Sequence, residues 1–148
     1  MGKLTKSIEI EASPEKVFAF IIDHKNMNEI YPKGGPQGEP TSKGPVGVGS
    51  TSHWVGTAGG TQQEFDMEIT EFVKNKKIAS RVIGASKLKG SFSYTLEPTA
   101  KGTKLTFSMD YKLPYSVLGK LVDKLKVSKD IEKNIGAMME KAKKTLEA

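Results

Sequence analysis

Residues 114–148 contain one proline, at their first position, and are dominated by Leu, Lys, Glu, Met and Ala. From Val117 onward these are good helix formers. Ser116 can cap the first turn by accepting from an unsatisfied N–H. Leu113 and Pro114 end the strand before it, because proline has no ladder N–H. A continuous helix here would run about 45 Å at ~1.5 Å per residue, longer than a small domain is wide. It must lie across a whole sheet or bend. The apolar residues favour a bend. Leu118, Leu121, Val122 and Leu125 share one face. Ile131, Ile135, Met138, Ala142 and Leu146 share another, roughly 110° away at ~100° per residue. One straight helix cannot aim both stripes at one sheet, and Ser128 or Asp130 can cap a second helix. A break is expected near 126–130, with the second half as the main core helix.

The rest of the chain supplies the sheet. Residues 4–12 alternate, with Leu4, Ile8 and Ile10 against polar neighbours, as a half-buried or edge strand does. Ser13, Pro14 and Glu15 open a helix with a capping hydroxyl, a first-turn proline and a first-turn acid. Residues 27–31 add a further helical turn or two, stopped by Pro32. Residues 33–49 are rich in Gly and Pro and read as an irregular loop with room for a short edge strand. A loop of this length in a small domain is often a functional flap. Strands then follow over 50–58, 62–73, 77–84, 91–97 and 103–113, joined by short turns that imply antiparallel neighbours. Phe65, Met67 and Ile69 alternate with Glu64, Asp66 and Glu68. Phe92, Tyr94 and Leu96 fall on one face of the next long strand. Leu105, Phe107, Met109, Tyr111 and Leu113 fall on one face of the last. An apolar face and a polar face mean a sheet covered on one side.

The fold class is therefore α+β: a curved antiparallel sheet wrapped around a long C-terminal helix, with two short helices after the first strand. One helix does not fill the concave face of such a sheet, and the remaining space is a natural ligand cavity.

At 148 residues the chain reads as one domain, 1–148, large enough for a real core. It has no cysteine, which removes disulfides and thiolate chemistry. No apolar run approaches the ~20 residues of a membrane span, and no signal-peptide core opens the chain, so the cytoplasm is the default address. The net charge of +6 is spread along the sequence with acids mixed in. It reads as a lysine-rich solvated surface, not a nucleic-acid face.

Catalytic and metal patterns are sparse. There are two histidines. His24 reads as a solvated helix-end residue. His53 and Trp54 are adjacent in a strand, so one faces in and the other out, and the flanking residues do not say which. An inward His53 could act as acid, base or hydrogen-bond partner of a ligand. No His/Cys/Asp spacing fits a transition metal. Glu64, Asp66 and Glu68 should face solvent. Arg81, the single arginine, has neighbours that leave its face open: it can pair with those acids on an adjacent strand, or, as the lesser reading, meet an anionic group of a ligand. The segment Gly47-Val48-Gly49 lacks the Gly-Lys-Ser/Thr of a phosphate loop, so no nucleotide or other cofactor is expected.

Several short motifs carry a family resemblance: 10–18 (IEASPEKVF), Ile22-Asp23, Tyr31-Pro32, 47–50 (GVGS), 69–72 (ITEF), 94–98 (YTLEP) and 102–106 (GTKLT). In this order they resemble the helix-grip superfamily of birch-pollen-allergen-like and START lipid-transfer domains, and its polyketide cyclase/dehydrase branch in particular. The resemblance spans nearly the whole chain and implies that fold. Its motifs are packing and turn positions, so it brings no catalytic set. The superfamily includes lipid, sterol and quinone binders, aromatase/cyclases and co-chaperone activators, and fold alone does not choose among them.

The expected site is the interior itself. Phe65, Met67, Phe92, Tyr94, Phe107, Met109 and Tyr111 come from the sheet, Ile131, Ile135 and Met138 from the helix, and His53 or Trp54 from the strand after the loop. Methionines adapt to irregular guests, and tyrosine hydroxyls can orient them. The expected partner is a hydrophobic small molecule such as a lipid, isoprenoid, quinone or polyketide-like compound. The glycine-rich loop and residues 117–125 would form the gate. Lys120, Lys124 and Lys126 beside the leucines could touch an anionic membrane transiently. A cyclase, aromatase or dehydratase is the alternative, and it needs His53, Tyr94, Arg81 or a carboxylate in the cavity. A co-chaperone-like interaction module is the third reading, and it needs a filled core and an exposed apolar patch.

Overall fold

The structure, a computed structural model, describes residues 2–33, 35–58, 61–84, 89–112 and 124–148. Strand β1 (Gly2–Ile10) leads into two short helices, α1 (Pro14–Ile21) and α2 (His24–Ile30). Ser13 caps α1 by accepting from Lys16 N–H, and Asp23 caps α2 by accepting from Lys25 N–H. Helix α1 buries Val17, Phe18 and Ile21, and α2 buries Met27 and Ile30. The loop region yields one short strand, β2 (Gln37–Pro40). Then come β3 (Thr51–Ala58), β4 (Thr61–Val73), β5 (Lys77–Ile83), β6 (Lys89–Pro98) and β7 (Thr103–Lys112).

Among the described residues these seven strands make one antiparallel sheet in the order β1-β7-β6-β5-β4-β3-β2. The two edges, β1 and β2, are joined through α1 and α2, so the chain crosses from one margin of the sheet to the other. Thr103 is fully buried and ties the crossover down: its hydroxyl donates to the carbonyl of Ala12 at 2.7 Å.

Strand β4 carries one irregularity. Ile69 pairs with Ser80 and Glu71 with Ala79, so Thr70 is an extra residue. Before it, odd-numbered Phe65, Met67 and Ile69 face inward; after it, Phe72 does. Phe72 meets Phe18 edge-on with ring centres 5.2 Å apart. Such a bulge bends the strand and increases its twist.

Helix α3 (Lys124–Glu147) closes the fold. It is continuous through 126–130, where a break was expected. Ser128 and Asp130 are exposed residues within it, not caps, because the Lys, Glu, Ala and Met around them sustain helix on their own. The Leu118–Leu125 stripe and most of the expected gate, 117–125, lie outside the described side chains. Ile135, Met138, Met139, Ala142 and Leu146 form the buried stripe of α3. They join Ile10, Val17, Phe18, Leu96, Leu105 and Phe107 in one core.

The helix packs chiefly over β1. Lys143 Nζ donates to the Glu9 carbonyl and to Glu147 Oε2, each at 2.7 Å, and Glu147 Oε2 also accepts from Glu11 N–H at 2.8 Å. At the other end of the contact, Lys6 lies 3.6 Å from Glu132. Away from that edge α3 leaves the inward faces of the middle strands partly uncovered, with α1 packing on β6 and, through Phe18 against Phe72, on β4.

Candidate ligand cavity

That uncovered floor is the site. Inward residues of β3 to β7 and the first turns of α3 enclose a cavity of about 250 Å³. This is close to the lower end of the ~300–1,000 Å³ range of small-molecule sites. Phe65 and Met67 come from β4, Phe92 and Tyr94 from β6, and Phe107, Met109 and Tyr111 from β7. Ile131 and Ile135 roof it, with Asn134 between them. Side walls come from α2 and from the loop 41–50, which contributes Ser42, Val46 and Ser50.

Two residues singled out from the sequence lie elsewhere. Met138 is almost fully buried in the packed core, beyond the roof residues along α3. His53 points to the outer face of the sheet. The pleat turns neighbours to opposite sides, and Trp54 takes the inward position. His53 Nδ1 sits 2.8 Å from Asp66 Oδ1 and Nε2 sits 3.2 Å from Glu64 Oε1. These two hydrogen bonds, Asp66 first, hold its pKa above the ordinary 6.5. Arg81 is outside as well, 3.2 Å from Glu68.

Trp54 is fixed from three sides. Its indole N–H donates to Ser52 Oγ at 2.8 Å. Its ring lies against Gly38 on β2, where a Cβ would come within 2.6 Å of the indole. Only glycine leaves room for that approach. His24 packs on the ring with centres 5.5 Å apart. His24 is thus half-buried against the cavity and not a solvated helix end; burial lowers its pKa, against an opposing pull from Asp23.

Tyr31, at the end of α2, and Tyr94, on β6 beside Phe107, both line the cavity and lie close enough for each to influence the other's titration. Burial is the main reason both titrate above the ordinary phenol value. Tyr94 is raised furthest, with Tyr31 adding to the effect. Sequence reasoning left His24 and Tyr31 out of the site. The signal was present: His24, Met27 and Tyr31 fall at i, i+3 and i+7, one face of a helix, and all three line the cavity.

Among the described lining residues there is no Asp, Glu, Lys or Arg. Among the described residues no group of three or more His, Cys, Asp or Glu could hold a metal ion. None of the described helices is long and apolar enough to cross a membrane.

Solved structures share this architecture. A protein of Thermus thermophilus superposes with a TM-score of 0.77 at 19% identity, covering 98% of this chain and 97% of that one. A solution structure from Cytophaga hutchinsonii gives 0.67 at 20% identity, covering 99% and 94%. Ara h 8.0201 gives 0.63 at 16% identity, covering 98% and 97%. At these identities the likeness establishes the helix-grip fold. No curated protein matches the chain in sequence. Residues 1–147 match the profile of the family described as "Polyketide cyclase / dehydrase and lipid transport". With that match over nearly its whole length, and the same fold around an apolar cavity, the chain belongs to the polyketide cyclase/dehydrase and lipid-transport family.

Proposed function

We propose that this protein binds and carries a hydrophobic small molecule, of the lipid, isoprenoid, quinone or polyketide-like kind, in the cavity between sheet and α3. Family and fold support hydrophobic-ligand binding in general. The observation that carries the reading for this chain is the makeup of the lining: aromatic, methionine and aliphatic side chains interspersed with uncharged polar groups, and no Asp, Glu, Lys or Arg among the described lining residues. Binding there is driven by apolar area leaving water, about 25 cal/mol per Å². Of the residues named for the enzyme alternative, Tyr94 lines the cavity, where His24 also stands, while His53 and Arg81 lie on the outer face and no carboxylate is among the described lining residues. This favours a binder over a catalyst.

The loop 41–50 supplies the entrance wall. Its base is pinned by Gly49 N–H to Ile69 O and Ile69 N–H to Ser50 O, both at 2.9 Å. Just before these anchors Val46 lines the cavity and still faces solvent, and Val48 is exposed. The test is native mass spectrometry of freshly purified protein, followed by organic extraction. A co-purifying apolar molecule is expected. Protein that carries none and takes up no apolar probe overturns the reading.

A further inference from the structure

We infer that the cavity selects an uncharged apolar molecule bearing a carbonyl or hydroxyl oxygen, and that the hydroxyls of Tyr31 and Tyr94 hold that oxygen. The inference rests on the ligand-binding reading above and narrows it to a chemical class.

The two hydroxyls reach the cavity from different elements, Tyr31 from the end of α2 and Tyr94 from the sheet floor. Two hydroxyls carry two protons, and a bond between them would use at most one. Among the described residues the pair has no further hydrogen-bond partner. At least one proton remains to be offered to a guest. A hydroxyl that is itself hydrogen-bonded is polarised and donates more strongly. The environment keeps both protonated, since burial drives them above the usual phenol value. The pair is therefore a donor set among Phe65, Met67, Phe92 and Met109, which are left for the guest's body, with Gln63, Ser80 and Asn134 among the other neutral polar groups on the walls.

Charge is selected against. A carboxylate taken from water needs a paired cation or several donors to repay its desolvation. No lysine or arginine is among the described lining residues, and His24 is held toward its neutral form by burial. A plain hydrocarbon fits the walls but leaves the tyrosine proton unanswered. An uncharged oxygen acceptor satisfies both conditions.

Three naphthalenes of near-equal size provide the test: 2-acetylnaphthalene, 2-isopropenylnaphthalene and 2-naphthoate. Each is titrated calorimetrically into the full chain and into Tyr31→Phe/Tyr94→Phe, which removes both hydroxyls and leaves neither orphaned. The ratio of ketone to alkene affinity is expected to fall about tenfold in the double variant. The infrared carbonyl stretch of the bound ketone should lie below its value in hexane for the wild-type protein and return toward it in the variant. 2-Naphthoate should bind more weakly than the ketone at pH 7. Should the variant fail to fold, the carbonyl stretch and the three affinities of the wild-type protein decide alone. A carbonyl stretch unshifted from hexane, or naphthoate binding as tightly as the ketone, overturns the inference while leaving ligand binding intact. Failure of all three probes to bind the wild-type protein overturns both.

Discussion

The side-chain amide of Asn28 makes both hydrogen bonds to Gly38 that a neighbouring strand would make: Nδ2 donates to the Gly38 carbonyl and Oδ1 accepts from its N–H, each at 2.8 Å. Gly38 belongs to β2, the edge of the sheet, and Asn28 to α2, the helix that brings His24, Met27 and Tyr31 to the cavity. One side chain thus seals an exposed edge, a recurrent site of unwanted strand pairing, and fixes the height of a cavity wall. Asn28→Ala should lower unfolding free energy by about 1–2 kcal/mol, two modest hydrogen bonds' worth. Asn28→Asp should do no better, because it sets a carboxylate oxygen against the Gly38 carbonyl. Urea denaturation measures the loss, and faster amide exchange at Gly38 localises it.

The two histidines should titrate on opposite sides of 6.5. His53 is raised by Asp66 and Glu64, and His24 is lowered by burial. For His53 the folded state binds the proton more tightly than the unfolded chain. Its contribution to stability is fully present below the unfolded value of 6.5 and disappears as pH rises through the higher folded value. For His24 the sign reverses, and protonation disfavours the fold as pH falls below 6.5. Heteronuclear NMR of the imidazole resonances gives both midpoints. The difference in melting temperature between wild type and His53→Asn should be greatest in acid and shrink toward pH 8.

Glu147 clasps the end of α3 to the β1–α1 turn by accepting from Glu11 N–H and Lys143. Its pKa is lowered by Lys143 first and by the Glu11 amide second. A depressed carboxylate contributes stability above its unfolded value of about 4.5, lost as pH falls through the folded one. Glu147→Gln should lower the melting temperature at pH 7, and the deficit should close in acid. Differential scanning calorimetry across pH 3–7 reads this out.

A cavity changes what a truncation costs. Leu105 is buried in solid core, so Leu105→Ala should cost about 2–5 kcal/mol. Phe92 faces the empty space and has fewer atoms to lose contact with. Phe92→Ala should cost less than the usual ~3–5 kcal/mol for a core phenylalanine. Chemical denaturation of the two variants checks the order. Equal or reversed costs relative to side-chain size would mean that the space beside Phe92 is packed.

Much of the architecture was legible because its signals are periodic. The alternation Phe92, Tyr94, Leu96 and that from Leu105 to Tyr111 fix which face of β6 and β7 turns inward. The Ser13-Pro14-Glu15 start of α1 is a chemical marker that needs no tertiary knowledge. What periodicity within one element leaves out is where that element sits relative to another. His53 and Trp54 have no flanking pattern to orient them, and it is the register with β4, Trp54 opposite Phe65 and His53 opposite Asp66, that reveals the inward face. Met138 shares its helical stripe with Ile131 and Ile135, yet the cavity ends before it, and helix periodicity carries no information about length along the axis. Strict alternation continued past Ile69 would place Phe72 with the acids on the outer face, so an apolar residue out of phase was itself the mark of the bulge.

That extra residue, Thr70, separates two properties that are usually entangled. Since Ile69 and Phe72 face the same way only because one position between them is skipped, a chain shortened by Thr70 alone would keep each β4 side chain on its present side and lose only the kink. Shape could then be altered at constant content. The volume available to a guest, and the sizes of molecule accepted, would report how much of this protein's selectivity is written in curvature and how much in the identity of its walls.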